Sequence, residues 1–252
     1  MKAAPLLALI HGFTEALMSF CPARRWLGLV AASLLAIATA IILAVSPLYA
    51  FIRPAYVEAQ YRRPGFPPSW RFSPQERARL SRPILLYLRG RITADEMAEI
   101  RTDSGEVALL AEEVQHLVDV RRVVDGFFIA HGVACVVALL AGVALWFWGE
   151  RRAFFRALRG GASAILGLIA LILLSALVDF DTFFTRFHQI FFREGSWIFA
   201  EEDTLIQLYP LPFWVDTVIK LVLIILAEAL VVWGVAWWLE KYRIAKGGAA
   251  HD

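Results

Sequence analysis

Cysteine is scarce: only Cys21 and Cys135 occur, so neither a disulfide framework nor a cysteine metal cluster organises this chain. An excess of one charge is also lacking. The formal net charge of +2 supplies no broad basic surface, and no nucleic-acid partner is expected. Several catalytic motifs are absent as well. There is no phosphate-cradling P-loop and no H-E-x-x-H. The run GASAI at 161–165 departs from the G-x-S-x-G elbow, because Ile165 stands where the last glycine belongs. No covalent nucleophile is evident, and neither cofactor nor metal is expected.

Apolar residues dominate what remains. The chain is 59% hydrophobic, with a mean hydropathy of +0.61. That places it among integral membrane proteins. A hydrocarbon core of ~30 Å needs about 20 apolar helical residues, and four stretches meet that length: 26–52, 123–149, 161–179 and 213–239. Between them lie an outer segment 53–122, a short loop 150–160 and an aromatic segment 180–212. Residues 1–25 form an N-terminal cytoplasmic or interfacial segment, and 240–252 a cytoplasmic tail. Within the first of these, 1–22 reads as amphipathic and uncleaved, because His11 and Glu15 interrupt its apolar run and Phe20 is too bulky for a cleavage site.

Basic flanks set the orientation. Arg24 and Arg25, then Arg151, Arg152, Arg156 and Arg159, then Lys241, Arg243 and Lys246 belong on the cytoplasmic side. Both termini are then inside, and 53–122 and 180–212 face out. The outer segment carries helix starts at SPQE (73–76), TADE (93–96) and DSGE (103–106). The third is expected to open a helix that continues into the second span. YRRPGFPPSW at 61–70 is expected to be irregular. The expected fold is an all-α membrane protein, with four transmembrane helices and a small, mostly helical extracytoplasmic cap.

Polar residues converge at the outer ends of the spans. Glu112, His116 and Asp119 share one helix face, and His116 lies about 10 Å above the start of its span. His188 follows the third span at a similar depth. Imidazole accepts and returns protons near neutral pH, and Asp119 or Glu112 is placed to orient it. Around His188, Phe180, Phe183, Phe184, Phe187 and Phe191 recur at helical spacing, with Phe192, Trp197 and Phe199 following. This stripe is wide enough to line an acyl-chain pocket. Inside the spans, Asp216 and Lys220 stand four apart and are expected to pair. Asp125 and His131 enter the second span from outside, and Glu228 lies deeper without a sequence neighbour.

FHQIFF at 187–192, Trp197 and DTLIQLYPLPFW at 203–214 together resemble the bacterial lipoprotein intramolecular transacylases. HLVDVRRV at 116–123 resembles a second motif of that family, and PILLYLRG at 83–90 a weaker third. The resemblance runs from the cap through the fourth span. It implies four transmembrane helices with a cap on the bacterial plasma membrane and a site on the extracytoplasmic side. It also implies transfer of an acyl chain from the sn-2 ester of a lipoprotein's diacylglyceryl-cysteine to the α-amine of that same cysteine, giving a lyso-form lipoprotein. The family's two catalytic histidines fall on His116 and His188, with Asp119, Glu112 and Arg193 in support. Phe183, Phe184, Phe187, Phe191, Trp197, Tyr209 and Phe213 would form the substrate pocket. The implied partners are the modified lipoprotein and membrane lipid, and a monomer is expected. Two departures from the pattern are Arg193 and Glu194 after FHQIFF, where the family often has Asn, and Phe199-Ala200-Glu201, where an Asp-Pro turn is common. Two other readings use the same residues: a metal-dependent ester hydrolase with His116, Asp119 and His188 as ligands, and a non-enzymatic lipid-binding subunit.

Overall fold

The computed structural model describes residues 21–193 and 195–248. In chain order the helices are α1 (Cys21–Val45), α2 (Leu48–Phe51), α3 (Pro54–Tyr61), α4 (Pro74–Leu88), α5 (Ala94–Ala98), α6 (Ala111–Phe147), α7 (Arg151–Val178), α8 (Phe180–Phe191), α9 (Thr204–Leu208) and α10 (Leu211–Gly248). Among the described residues the one β-type pairing is an isolated bridge between Arg101 and Val107. Among the described residues, four helical stretches are long and apolar enough to cross a membrane: Arg24–Phe51, Ala111–Phe147, Arg151–Val178 and Leu211–Tyr242. Their outward faces stay apolar, as with Leu139 at 66% and Leu177 at 84% exposure, because lipid rather than water is the solvent there. The chain is thus an all-α membrane protein with four spanning helices and short helices inserted between them. The amphipathic segment expected at 1–22 lies, up to residue 20, outside the described residues, as does Glu194.

The chain divides into two compact units. One comprises the described parts of 1–40, 134–164 and 230–252. Its core is built from small side chains and two leucines: Ala31, Leu35, Ala141, Leu145 and Ala157. Small residues allow spanning helices to approach closely. The approach is tightest at Gly161 of α7. A Cβ there would run into the Ala36 carbonyl oxygen of α1 and come within 2.7 Å of the Thr39 Cβ. Thr39 is itself buried, and its hydroxyl donates to the Leu35 carbonyl at 2.7 Å. One carboxylate in this unit gathers two guanidinium groups. Glu240 accepts from Arg159 at 2.5 Å and lies 3.7 Å from Arg156, while Arg24 donates to the Trp148 carbonyl.

The other unit comprises 41–133 and 165–229. Its core gathers Leu80, Ile84, Met97, Leu117 and Leu208, with Tyr209 and Phe213. Two helix starts follow the sequence rule. Ser73 caps α4 by accepting the Glu76 N–H at 3.1 Å, and Thr93 with Glu96 forms a reciprocal capping box on α5. The third expected start is overturned. DSGE at 103–106 forms no helix: the Asp103 N–H donates to Glu76 Oε1 at 2.7 Å, and Glu106 N–H donates to the Thr102 hydroxyl. The Asp103 N–H and carboxylate are thus engaged by Glu76 and Arg79 of α4, and α6 begins only at Ala111. Residues 62–72 cross without regular structure. The buried Arg77 holds that crossing, donating to the Pro67 carbonyl at 2.8 Å and lying over the rings of Tyr61 and Phe66. Asp216 pairs with Lys220 at 2.5 Å as expected, and also with Arg63, while buried Gln60 reaches the same carboxylate. His131 meets the Ser46 hydroxyl at 3.1 Å and the Tyr49 hydroxyl at 3.4 Å, and Asp125 lies 3.6 Å from Arg121.

Gly161→Ala is expected to lower the thermal midpoint of the detergent-solubilised protein, because overpacking against backbone costs about 1–3 kcal/mol. Gly167→Ala, where an added Cβ meets nothing within 4 Å, is expected to leave it unchanged. Equal midpoints for both variants would contradict the tight α1–α7 crossing.

Candidate active site

His116 sits one turn into α6, and a buried carboxylate determines where that helix starts. Glu113 has no exposed surface. Its Oε2 accepts the Leu110 N–H at 2.8 Å, and its Oε1 accepts the Leu205 N–H at the start of α9 at 2.7 Å. The Thr204 hydroxyl donates to the Ala108 carbonyl beside this pair. Residues 108–113 and 204–205 are therefore tied together, which fixes the rotational phase of α6 and the direction of the His116 side chain.

His188 is delivered by α8. Asp179, extended at φ −155°, caps this helix by accepting the Thr182 N–H at 3.0 Å. The helix ends at Phe192, whose N–H donates to the His188 carbonyl at 2.8 Å. A tight turn follows at Gly195, where φ is +78° and a residue without Cβ is favoured. The turn is closed by the Ser196 N–H donating to the Arg193 carbonyl at 3.1 Å. It sends the chain back so that Trp197 lies against α8, its ring 4.6 Å from His188 and 5.6 Å from Phe184.

The two imidazoles share one ring. Phe192 stands 5.1 Å from His116 and 5.8 Å from His188, centroid to centroid. Phe199 covers His116 at 5.2 Å, and Phe184 covers His188 at 4.0 Å. The two imidazoles therefore meet the same aromatic ring, one from α6 and one from α8. Sequence reasoning left Phe192 and Phe199 outside the pocket. The signal that could have found them is the Gly195 turn, which folds the segment after α8 back over the histidines.

Hydrogen bonding decides which nitrogen of His188 carries the proton. Its Nδ1 lies 2.7 Å from the Phe184 carbonyl, one helical turn back. A carbonyl can only accept, so Nδ1 is the N–H, and the Nε2 lone pair is available. Burial holds the His188 pKa below the ordinary imidazole value, and the Phe184 carbonyl opposes that only in part. On His116, Nδ1 is buried without a hydrogen-bond partner among the described residues, as is the Trp197 indole Nε1. Buried polar atoms are nearly always partnered, so two orphans around one pair of histidines mark a place for polar groups from outside the chain.

The other predicted residues are placed differently. Asp119 is not hydrogen-bonded to His116: its carboxylate pairs with Arg122 at 2.6 Å, because a guanidinium three residues on competes better than an imidazole. Glu112 and Arg193 are exposed. Phe183, Phe187 and Phe191 follow one another along α8, at 6.3 and 5.3 Å between rings. Phe187 also meets the His188 ring edge-on at 5.4 Å. Tyr209 and Phe213 are buried in the core of the unit, 5.3 Å from one another, and neither stacks on an imidazole. Among the described residues no three His, Cys, Asp or Glu side chains come together as a metal set.

The profile of the lipoprotein intramolecular transacylase Lit family matches residues 29–214. An uncharacterized protein of Aquifex aeolicus (strain VF5) is 31% identical over 162 residues, covering 64% of this chain and 72% of that one. Among solved structures, the in meso structure of the membrane integral lipoprotein intramolecular transacylase Lit from Bacillus cereus, in a histidine-to-arginine variant, superposes with a TM-score of 0.63 at 15% identity. It covers 92% of this chain and 99% of that one. A further structure of the same protein gives 0.60 at 18% identity, covering 88% and 97%. Those likenesses are of fold, and the family match stands on the sequence. The chain belongs to the lipoprotein intramolecular transacylase family, and is a multi-pass membrane acyltransferase of lipoproteins.

Proposed function

We propose that this protein moves one acyl chain from the sn-2 ester of a diacylglyceryl-cysteine to the α-amine of that same N-terminal cysteine. The observation that carries this reading is the pair of imidazoles brought to one aromatic ring, with His188 locked in the tautomer that leaves Nε2 free. The amine nitrogen attacks the ester carbonyl carbon, and the bond from that carbon to the glyceryl oxygen breaks. His188 Nε2 takes the proton the amine must lose. His116 either supports the developing oxyanion, while His188 returns its proton to the departing glyceryl oxygen, or protonates that oxygen itself and is re-protonated from His188. Nucleophile and ester belong to one molecule, so no acyl-enzyme is needed. Holding the two together can supply up to ~7–11 kcal/mol by orientation alone.

The surroundings suit this chemistry. Phe184, Phe187 and Phe191 carry an apolar surface along α8, with Phe184 38% and Phe187 46% exposed. An acyl chain laid on them loses contact with water. Both histidines come from one chain, so a monomer suffices. The topology proposed with this reading has both termini cytoplasmic and the histidines on the extracytoplasmic side of a bacterial plasma membrane. The bonds from Arg24 to Trp148 and from Arg159 to Glu240 support it, since they gather the basic ends of the spans within one unit.

Incubation with a purified diacylglyceryl lipoprotein is expected to give a product of unchanged total mass, with one acyl group on the α-amine in the fragment spectrum. Loss of one acyl mass would instead identify a hydrolase. His188→Ala and His116→Ala are each expected to lower the rate by roughly 10²–10⁴, while the protein keeps its helical circular dichroism. Full activity in both variants would sink the mechanism.

The pH profile supplies a separate check. His188 titrates below the ordinary imidazole value, so the base stays unprotonated further into acid. The acid limb of the rate is expected below about pH 6.5, the unperturbed value. The substrate's α-amine titrates at about 7.7–8.0, so the His188 limb is the one lost in a His188→Gln variant; finding that limb above about pH 6.5 would contradict a buried His188 as the base.

A further inference from the structure

A second polar site shares no lining residue with the surroundings of the histidines. Arg53, Pro54, Ala55 and Glu58 of the α3 region face Arg82, Leu86, Arg89 and Arg91, across a groove of about 420 Å³. Four guanidinium groups around one groove repel each other unless an anion joins them. The protein supplies little compensation. The carboxylate in the groove, Glu58, is engaged by Arg62 at 3.3 Å. Arg82 and Arg91 have no ion-pair or side-chain hydrogen-bond partner among the described residues, and both are exposed.

The groove is nevertheless built rather than incidental. Arg89 is half-buried and held in place by donating to the Ile52 carbonyl at 3.1 Å and the Tyr49 carbonyl at 3.4 Å. Arg53 Nε donates to the Tyr49 carbonyl at 2.9 Å. Gly90, at φ +68°, makes the turn that ends α4, and the Arg91 N–H reaches back to the Leu86 carbonyl at 2.8 Å. That turn sets Arg89 and Arg91 on either side of one glycine, with Arg82 two helical turns earlier than Arg89.

Depth identifies the ligand. Arg53 follows the end of the first spanning stretch, Phe51, by two residues. That is the level at which phospholipid phosphates lie, and basic side chains there attract anionic headgroups. Pro54, Ala55 and Leu86 add apolar surface beside the charges. We propose that this groove binds the phosphodiester of an anionic phospholipid, seating the cap on the headgroup layer at a place separate from the acyl-transfer site.

Native mass spectrometry of the full-length, delipidated protein in detergent tests this, using phosphatidylglycerol as the probe. One phosphatidylglycerol is expected to remain bound, while diacylglycerol with the same chains is not retained. Near a membrane surface each arginine contributes about 1 kcal/mol, so Arg82→Gln with Arg91→Gln is expected to weaken retention roughly thirtyfold. The double variant should keep wild-type transacylation of a detergent-soluble substrate, which also shows that it folds. Equal retention by wild type and double variant, or equal retention of diacylglycerol, would overturn the proposal. Displacement of the lipid by millimolar inorganic phosphate would reassign the groove to a free anion. Displacement by an aspartate-rich peptide would reassign it to a protein partner. If the mass assay showed no acyl transfer at all, helical circular dichroism and the thermal midpoint of the double variant would show that it folds, and the lipid result would still stand on its own.

Discussion

Glu113 is a carboxylate with no access to solvent, and such a group is tolerated only when its oxygens are occupied. Its two oxygens take N–H groups from positions 110 and 205. One of these is an orphan donor at the head of α6 and the other a donor at the head of α9, so a single side chain caps two helices. The starting residue of α6 follows from this bond, and the bearing of His116, three residues on, follows from the starting residue. The segment between Gly195 and Asp203 is closed from the same end: Asp203 accepts the Ala200 N–H at 2.7 Å immediately before α9. Trp197 and Phe199 are held between the α8 helix on one side and that anchored start on the other.

The two units are stabilised by different means. Close backbone approach dominates where the helices lie in lipid, as at Gly161, because hydrocarbon offers no hydrophobic drive for one helix to leave it for another. In the other unit, polar satisfaction dominates. Arg77, Gln60, Glu113 and Thr204 are all buried, and each finds a partner in a segment remote in sequence. An apolar substitution at any of them would leave its partner unsatisfied. That loss is more costly than removing the bond together with both its ends.

Much of this was legible in the sequence. The four spans, the caps at Ser73 and Thr93, and the Asp216–Lys220 pair all rest on local spacing, which sequence displays directly. The motif around FHQIFF pointed to the family. What escaped depended on competition between partners. DSGE carries every mark of a helix start, yet Glu76, 27 residues away, accepts the Asp103 N–H first. Asp119 is at the right spacing to orient His116, but Arg122 is at the right spacing to take Asp119. The placement of Phe192 and Phe199 against His116 depends on a chain reversal, and no helical periodicity extends through a glycine at positive φ.

The hydrogen bond from His188 to the Phe184 carbonyl has a further implication. In many acid–base sites a carboxylate holds the imidazole in its working tautomer, and losing that side chain by mutation disables the site. Here the holding group is a main-chain carbonyl one turn back along the same helix. Every residue type brings the same carbonyl to position 184, so no point substitution there deletes it as long as α8 remains helical. The orientation of the histidine is therefore insulated from substitution among its neighbours, and the neighbouring positions are left free to vary without disturbing it.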